Sequence, residues 1–281
     1  MKRLITSLFI LFCFVTALSA NPSLSPAEQK ALDDLFEYRM YASTLSADAA
    51  MSSLDSYRTQ NFSAAKTAGF SEEAKLILDA FVDLEKLVYM QTINSEDTSI
   101  KAIAEAQYKK LQDWIDAHPS ETPNKWTWTA AAEAFNWSLA YLPMTQILSK
   151  GLLPKQYYQK AIDMDSEMTY ALCGLGQWLY FAPAVGGGGG NKNSRATLEK
   201  AVNAAKTNPE KFIAHLYYSQ ILFQMNDKTG AAKELDIADA IQPGSKRLAR
   251  FRQVNAKGMS WFEFTRDYEK NRKKLGEPLV N

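Results

Sequence analysis

Leu172-Cys173-Gly174-Leu175-Gly176-Gln177-Trp178-Leu179, followed beyond a run of glycines by Ser194-Arg195-Ala196-Thr197-Leu198-Glu199-Lys200-Ala201, decides the fold. In the first segment large residues stand at 172, 175 and 179 and a small one at 176. That is the three- and four-residue spacing of a helix with one close-contact position. In the second, Leu198 and Ala201 follow Ser194 by 4 and 7 positions. Offsets of 4, 7 and 12 also run from Pro154 through Tyr158 and Ala161 to Ser166, and from Ala231 through Leu235 and Ala238 to Pro243. After Ser194 the matching proline, Pro209, comes late. Each of these helices has an earlier helix some nineteen residues upstream. Small side chains at Gly176, Ala201 and Ala238 have a physical reason, because axes packed at ~8–10 Å leave no room for a long one where helices cross.

Outward from this stretch the chain keeps a helical period. Ser25-Pro26-Ala27-Glu28 is a start signal, with Ser25 as cap and Pro26 at the first helical position. Leu32, Leu35, Phe36 and Met40 then recur at helical spacing. Ser71-Glu72-Glu73-Ala74 opens a second helix, residues 98–117 form a third, and residues 127–148 are expected to form a fourth. No stretch alternates long enough to claim a strand. The expectation is an all-α chain: a signal over 1–20, an N-terminal helical region over 21–134, three helical hairpins over 135–245, and C-terminal capping helices over 246–281. Of the 281 residues 46% are hydrophobic, enough for a large core, which excludes disorder. Lys+Arg 32 against Asp+Glu 31 gives no basic stripe for nucleic acid. Two Cys and two His leave little for a metal site, so no metal and no cofactor is expected.

The paired pattern resembles the tetratricopeptide repeat, a unit of about 34 residues with small residues at its helix crossing and Pro near its end. Copies fall near 135–168, 169–211 and 212–245, the third carrying Tyr218 and Ser219 where the pattern has Leu and Gly. The resemblance implies a right-handed superhelix with a concave groove. A second resemblance covers roughly 185–245, with the stretch just before it. Leu175-Gly176, Ala182-Pro183-Ala184, a Gly-rich turn and Leu198-Glu199-Lys200-Ala201 are similar to the T component of tripartite (TRAP-type) transporters. It implies an exported oligomer that pairs with a substrate-binding protein and passes apolar ligands through a pore. Five glycines, and Asn191-Lys192-Asn193 where that family places an acid and a basic residue, depart from its pattern.

Met1–Ala20 has a basic start at Lys2 and Arg3, an apolar middle and the small-residue end Ala17-Leu18-Ser19-Ala20. This is the layout of a secretory signal, with cleavage expected after Ser19 or Ala20 and a periplasmic product. An uncleaved anchor and lipid attachment at Cys13 are the alternatives, the second weakened by Phe12 where a small residue is needed. Once 1–20 are removed, Cys173 is the only thiol, and in a helical pattern it reads as a small buried apolar residue.

Catalytic patterns are absent around His118 and His215, and the run Asp163, Asp165, Glu167 lacks the set positions of a calcium loop. Gly186 to Gly190, with Gly186, Gly188 and Gly190 as its contact positions, breaks the Gly-Lys pair that a phosphate loop needs. It reads instead as a flexible bulge able to reach a ligand or another subunit. The groove is the better candidate site. First-helix positions one turn apart give Asn136 and Leu139, with Pro143 and Gln146, in the first copy. The second copy contributes Tyr170, Cys173, Gln177, Tyr180 and Phe181, and the third Ile213, Leu216, Gln220, Phe223 and Gln224. Gln177 and Gln220 hold the same repeat position, where aligned amides could hold a peptide backbone or a polar head group while aromatics cover the apolar part. Trp126, Trp128, Phe135, Trp137 and Tyr141 form the densest aromatic cluster, read as core. Together these expectations describe a non-catalytic scaffold binding a protein partner or an apolar ligand. A structural oligomer subunit and a periplasmic enzyme are the alternatives.

Overall fold

A computed structural model describes residues 23–281, and the expected signal, with Cys13, lies outside the described residues. Those residues are all-α. Helix α1 (Pro26–Ala42) starts as its sequence requires. Ser25 caps it, and Glu28 reaches back to the Ser25 N–H at 2.7 Å, closing a capping box. Helix α2 (Ala47–Asn61) precedes α3 (Glu72–Ile93), capped by Ser71, and α4 (Thr98–Ala117), capped by Asp97.

The fourth expected helix is broken. α5 spans Lys125–Leu139 and a short α6 spans Met144–Lys150, with Pro143 between them as the cap of α6. Proline has no N–H to continue α5 and drives Leu142 away from helical geometry, which ends the helix early. The hairpin expected from residue 135 therefore opens at Lys125 and returns through α7 (Leu153–Met164). The next hairpins are α8 (Thr169–Phe181) with α10 (Asn191–Ala204), joined through the turn α9 (Ala184–Gly187), and α11 (Asn208–Gln224) with α12 (Lys228–Ile241). The chain ends in α13 (Lys246–Ala256), α14 (Trp261–Arg266) and α15 (Tyr268–Leu275).

Pairs α5/α7, α8/α10 and α11/α12 stack in series, and their first helices touch in the order α3, α5, α8, α11. The α3/α4 pair continues the same succession at the N-terminal side. Gly176 is the close-contact point expected of it. A Cβ on Gly176 would stand 2.5 Å from Leu198 Cγ, and Ala201 and Ala238 are fully buried. Gly174 does the same against the Tyr158 ring.

The two ends of the array meet. α1 packs against both α3 and α11, so it lies across the face lined by the first helices. Ser43 at the end of α1 accepts from the Lys246 N–H at 2.8 Å, and its hydroxyl lies 2.9 Å from that of Ser245. Arg250 on α13 donates to the Thr92 hydroxyl on α3 at 3.0 Å. A groove that would lie open in a simple stack is thereby closed into a cavity.

Candidate ligand cavity

The cavity has a volume of about 740 Å³. Its walls come from the first helices α3, α5, α8 and α11, from α1 and α13 across the closure, and from α14. Leu148, Leu152 and Phe181 line it while remaining 79%, 44% and 43% exposed, which locates its mouth beside α6 and the end of α8. Trp137, Ile147, Trp178 and Pro183 continue that apolar wall inward.

The deep end is polar. Glu85, on the face of α3 that carries Phe81, Val82, Val88 and Tyr89, is almost fully buried between two guanidiniums. Arg39 donates Nε to Glu85 Oε2 at 3.0 Å, with Nη2 2.9 Å from the same oxygen, and Arg247 Nη2 donates to Oε1. Burial opposes ionisation of Glu85, but the charges of Arg247 and Arg39 outweigh it and hold the carboxyl below its ordinary range. Arg39 also lies over the rings of Phe36 and Phe81. Glu133, on the apolar face of α5, lines the same space and makes no hydrogen bond or ion pair among the described residues. Burial pushes its carboxyl above the ordinary range, although the Arg39 charge works against that rise. Tyr158, Tyr170 and Tyr217 face the cavity, and burial raises the pKa of all three hydroxyls.

Of the expected groove residues, Tyr170, Gln177 and Ile213 line the cavity, together with Asn136, Leu139, Cys173 and Phe181. Gln177 is half-buried and donates only to the carbonyl of Cys173, within its own helix, at 3.3 Å. Tyr180, Leu216, Gln220 and Phe223 do not line it. Gln220 is fully buried and serves as a clamp: its Oε1 accepts from the Trp261 N–H at 2.7 Å and from Asn255 Nδ2 at 3.0 Å. The capping helices α13 and α14 cover the third hairpin at this point, so the position that faces the cavity at Gln177 faces protein at Gln220. Leu216 is fully buried in the core beneath α13, Tyr180 lies under Phe262 and Arg266 of α14, and Phe223 packs beside Lys228.

The glycine run is not a loose bulge. Gly186 falls within the turn α9, Gly187 lines the cavity, and Gly188 and Gly190 take positive φ of 69° and 118°. Lys155 donates to Gly187 O at 3.0 Å and Asn193 to Gly188 O at 2.8 Å. At Gly189 a Cβ would stand 2.0 Å from the Ala182 carbonyl oxygen, so the turn folds directly onto the end of α8. His215 pairs with Glu234, and His118 stacks on Trp114; both lie away from the cavity. Cys173 is buried, and burial pushes its thiol up, away from the ionised form that reacts.

Sequence reasoning missed Arg39, Glu85, Glu133 and Arg247. Two of them carried a signal: Glu85, at helical spacing from Phe81, Val82, Val88 and Tyr89, and Glu133 inside Ala130-Ala131-Ala132-Glu133-Ala134, are single acids on apolar helix faces. Among the described residues no helix is long and apolar enough to cross a membrane. Compared with protein-family models, with curated proteins and with solved structures, the chain has no match.

Proposed function

We propose that this chain is an exported, non-catalytic binding protein that holds one small, mostly apolar ligand inside its closed helical-hairpin array. One observation carries the reading: a cavity of about 740 Å³, the size range of small-molecule sites, walled largely by aromatic and aliphatic side chains. Closure by α1 and α13 argues against an extended peptide, which needs an open trough with two free ends. Export rests on the signal-like Met1–Ala20. The resemblance of residues around 175–201 to transporter T components supports a role beside a transporter. Exposed Leu148 and Leu152 at the mouth favour a second reading, in which a partner such as a substrate-binding protein docks there to deliver or receive the ligand.

The test is a cavity-filling substitution at the mouth side of α8. An apolar fluorophore of the anilinonaphthalene type should bind the wild-type chain at one site. Gln177→Trp should abolish that binding with helicity unchanged, since Gln177 makes no bond outside its own helix. Equal binding by both proteins would remove the cavity from consideration.

A further inference from the structure

Among the described residues, the large apolar side chains left exposed are Tyr41, Ile93, Leu148, Leu152, Phe181 and Met225. All but Tyr41 stand where a first helix gives way to the next element. Ile93 ends α3, Phe181 ends α8 and Met225 follows α11 directly. Leu148 lies on α6 and Leu152 just before α7, both soon after α5. First helices stacked side by side bring these ends to one edge of the array, the edge on which the cavity opens. Exposed leucines scattered singly need no explanation, but a row of apolar tips along a single edge marks a surface that meets something apolar.

The charge around these tips is one-sided. The chain is nearly balanced, with Lys+Arg 32 against Asp+Glu 31, yet residues 134–162 and 168–198, which supply most of the mouth, contain no Asp or Glu. Their basic residues are Lys150, Lys155, Lys160, Lys192 and Arg195. Lys155 donates to Gly187 O at 3.0 Å and lies 5.9 Å from the centre of the Trp178 ring, so its charge stands at the mouth. Arg266 adds a further charge from α14, 5.8 Å from the centre of the Phe181 ring. Lys150 and Lys192 are exposed and pair with no acid among the described residues. Lys160 sits over Trp128, and Arg195 turns to Tyr218. The acids that come near are Asp163 beside Lys155 and Lys160, Glu263 close enough to act on Tyr180, and Asp97 close enough to act on Tyr141. They are fewer than the cations they face.

We propose that this edge docks on a phospholipid bilayer containing anionic lipid, with Leu148, Leu152 and Phe181 entering the interface and Lys150, Lys155, Lys192 and Arg266 among the head groups. An acidic partner protein would meet the same charges, but two features favour a bilayer. Three of these four cations are lysines, a residue depleted where proteins dock and suited to a membrane surface, where its stem lies along apolar groups and its charge reaches outward. The apolar tips also ring an opening and enclose no continuous core, which a fluid interface tolerates and a protein interface does not. Docking goes beyond the small-ligand reading and stands without it. Where both hold, the ligand passes between bilayer and cavity without crossing water.

Co-sedimentation of the full chain with vesicles tests the proposal, one set of phosphatidylcholine alone and one of phosphatidylcholine and phosphatidylglycerol in equal parts. The chain should bind the anionic vesicles at least about ten-fold more tightly, and added salt should weaken that binding. The pair Leu148→Ser, Leu152→Ser and the pair Lys150→Gln, Lys192→Gln should each weaken it at least about five-fold with helicity unchanged. Serine is a favoured residue at the cap position that Leu152 holds, so the first pair should fold. Tyr41→Ser, away from the edge, should bind as wild type does. Every variant keeps residues 1–20, so binding through that segment would persist in all of them, and equal binding by wild type and both pairs would overturn the proposal. Equal binding to the two kinds of vesicle would overturn it as well. So would binding to neither, which leaves the edge to a protein partner. An oligomer seen by light scattering that falls apart in Leu148→Ser, Leu152→Ser would assign the edge to a second copy and overturn it too. The fluorophore titration, made without vesicles, reports on the cavity separately.

Discussion

Glu85 shows how one buried acid can organise a site. Its side chain is 1% exposed and is the shared partner of Arg39 and Arg247, which approach from helices at opposite ends of the chain. Removing it would leave two buried guanidiniums without their counter-charge, a loss of about 3–5 kcal/mol for broken buried pairs. Glu85→Gln is therefore expected to lower stability by that amount in urea denaturation at pH 7. The pH dependence has a definite sign. The carboxyl is held below its ordinary value near 4.5 in the folded chain. Its contribution is thus present above that value and is lost as pH falls through the lower folded value. The difference between wild type and Glu85→Gln should shrink on acidification below about pH 4.5. At this scale the sequence showed an acid on an apolar face but not its partners, because Arg39 lies 46 positions away and Arg247 lies 162 away. The small residues were legible. Gly176 sits where its spacing put it, since a helix crossing is a local steric demand, and Ala201 and Ala238 are fully buried.

At the scale of elements, the helix starts at Ser25 and Ser71 could be read from caps, which are local hydrogen-bond requirements. The break between α5 and α6 at Pro143 could have been read in the same way, because proline forbids continuation. Covering of α11 by α13 and α14 could not, and it is what separates Gln177 from Gln220. Gln220→Ala removes the acceptor of the Trp261 N–H and one side of a paired amide contact with Asn255. A loss of about 1–3 kcal/mol is expected for leaving such buried groups unpaired. Proteolysis should then begin within residues 257–281, and binding of the fluorophore should weaken far less than in Gln177→Trp. The glycine turn makes a second prediction. Gly189→Ala would drive a methyl group onto the Ala182 carbonyl, a backbone atom that cannot move aside as a side chain can. A cost of about 1–3 kcal/mol or more is expected, read as a lowered urea midpoint. A tolerant site there would mean that the turn does not fold onto α8.

On the whole-molecule scale, the same hairpins that would make an open groove make a cavity because the ends of the chain meet. That closure joins α1 to α11 and the end of α1, at Ser43, to Ser245 and Lys246 at the start of α13, positions separated by most of the sequence, so no periodicity in the chain could announce it. It explains why four of the five groove residues expected from α8 survive as cavity wall while of those expected from α11 only Ile213 does. At the seam the hydroxyls of Ser43 and Ser245 stand 2.9 Å apart, next to the 2.8 Å bond from the Lys246 N–H to Ser43 O. Side chains that close can be bridged by a disulfide, which needs Cα atoms within about 7 Å. Cys173 is buried and would not compete. The most direct measurement is oxidation of the chain carrying Ser43→Cys and Ser245→Cys, followed by non-reducing electrophoresis and mass spectrometry. Closure of the array predicts a bond within each chain, formed in the folded protein, with faster migration than the reduced form. Thiols that stay reduced, or bonds that form only between chains, would contradict it.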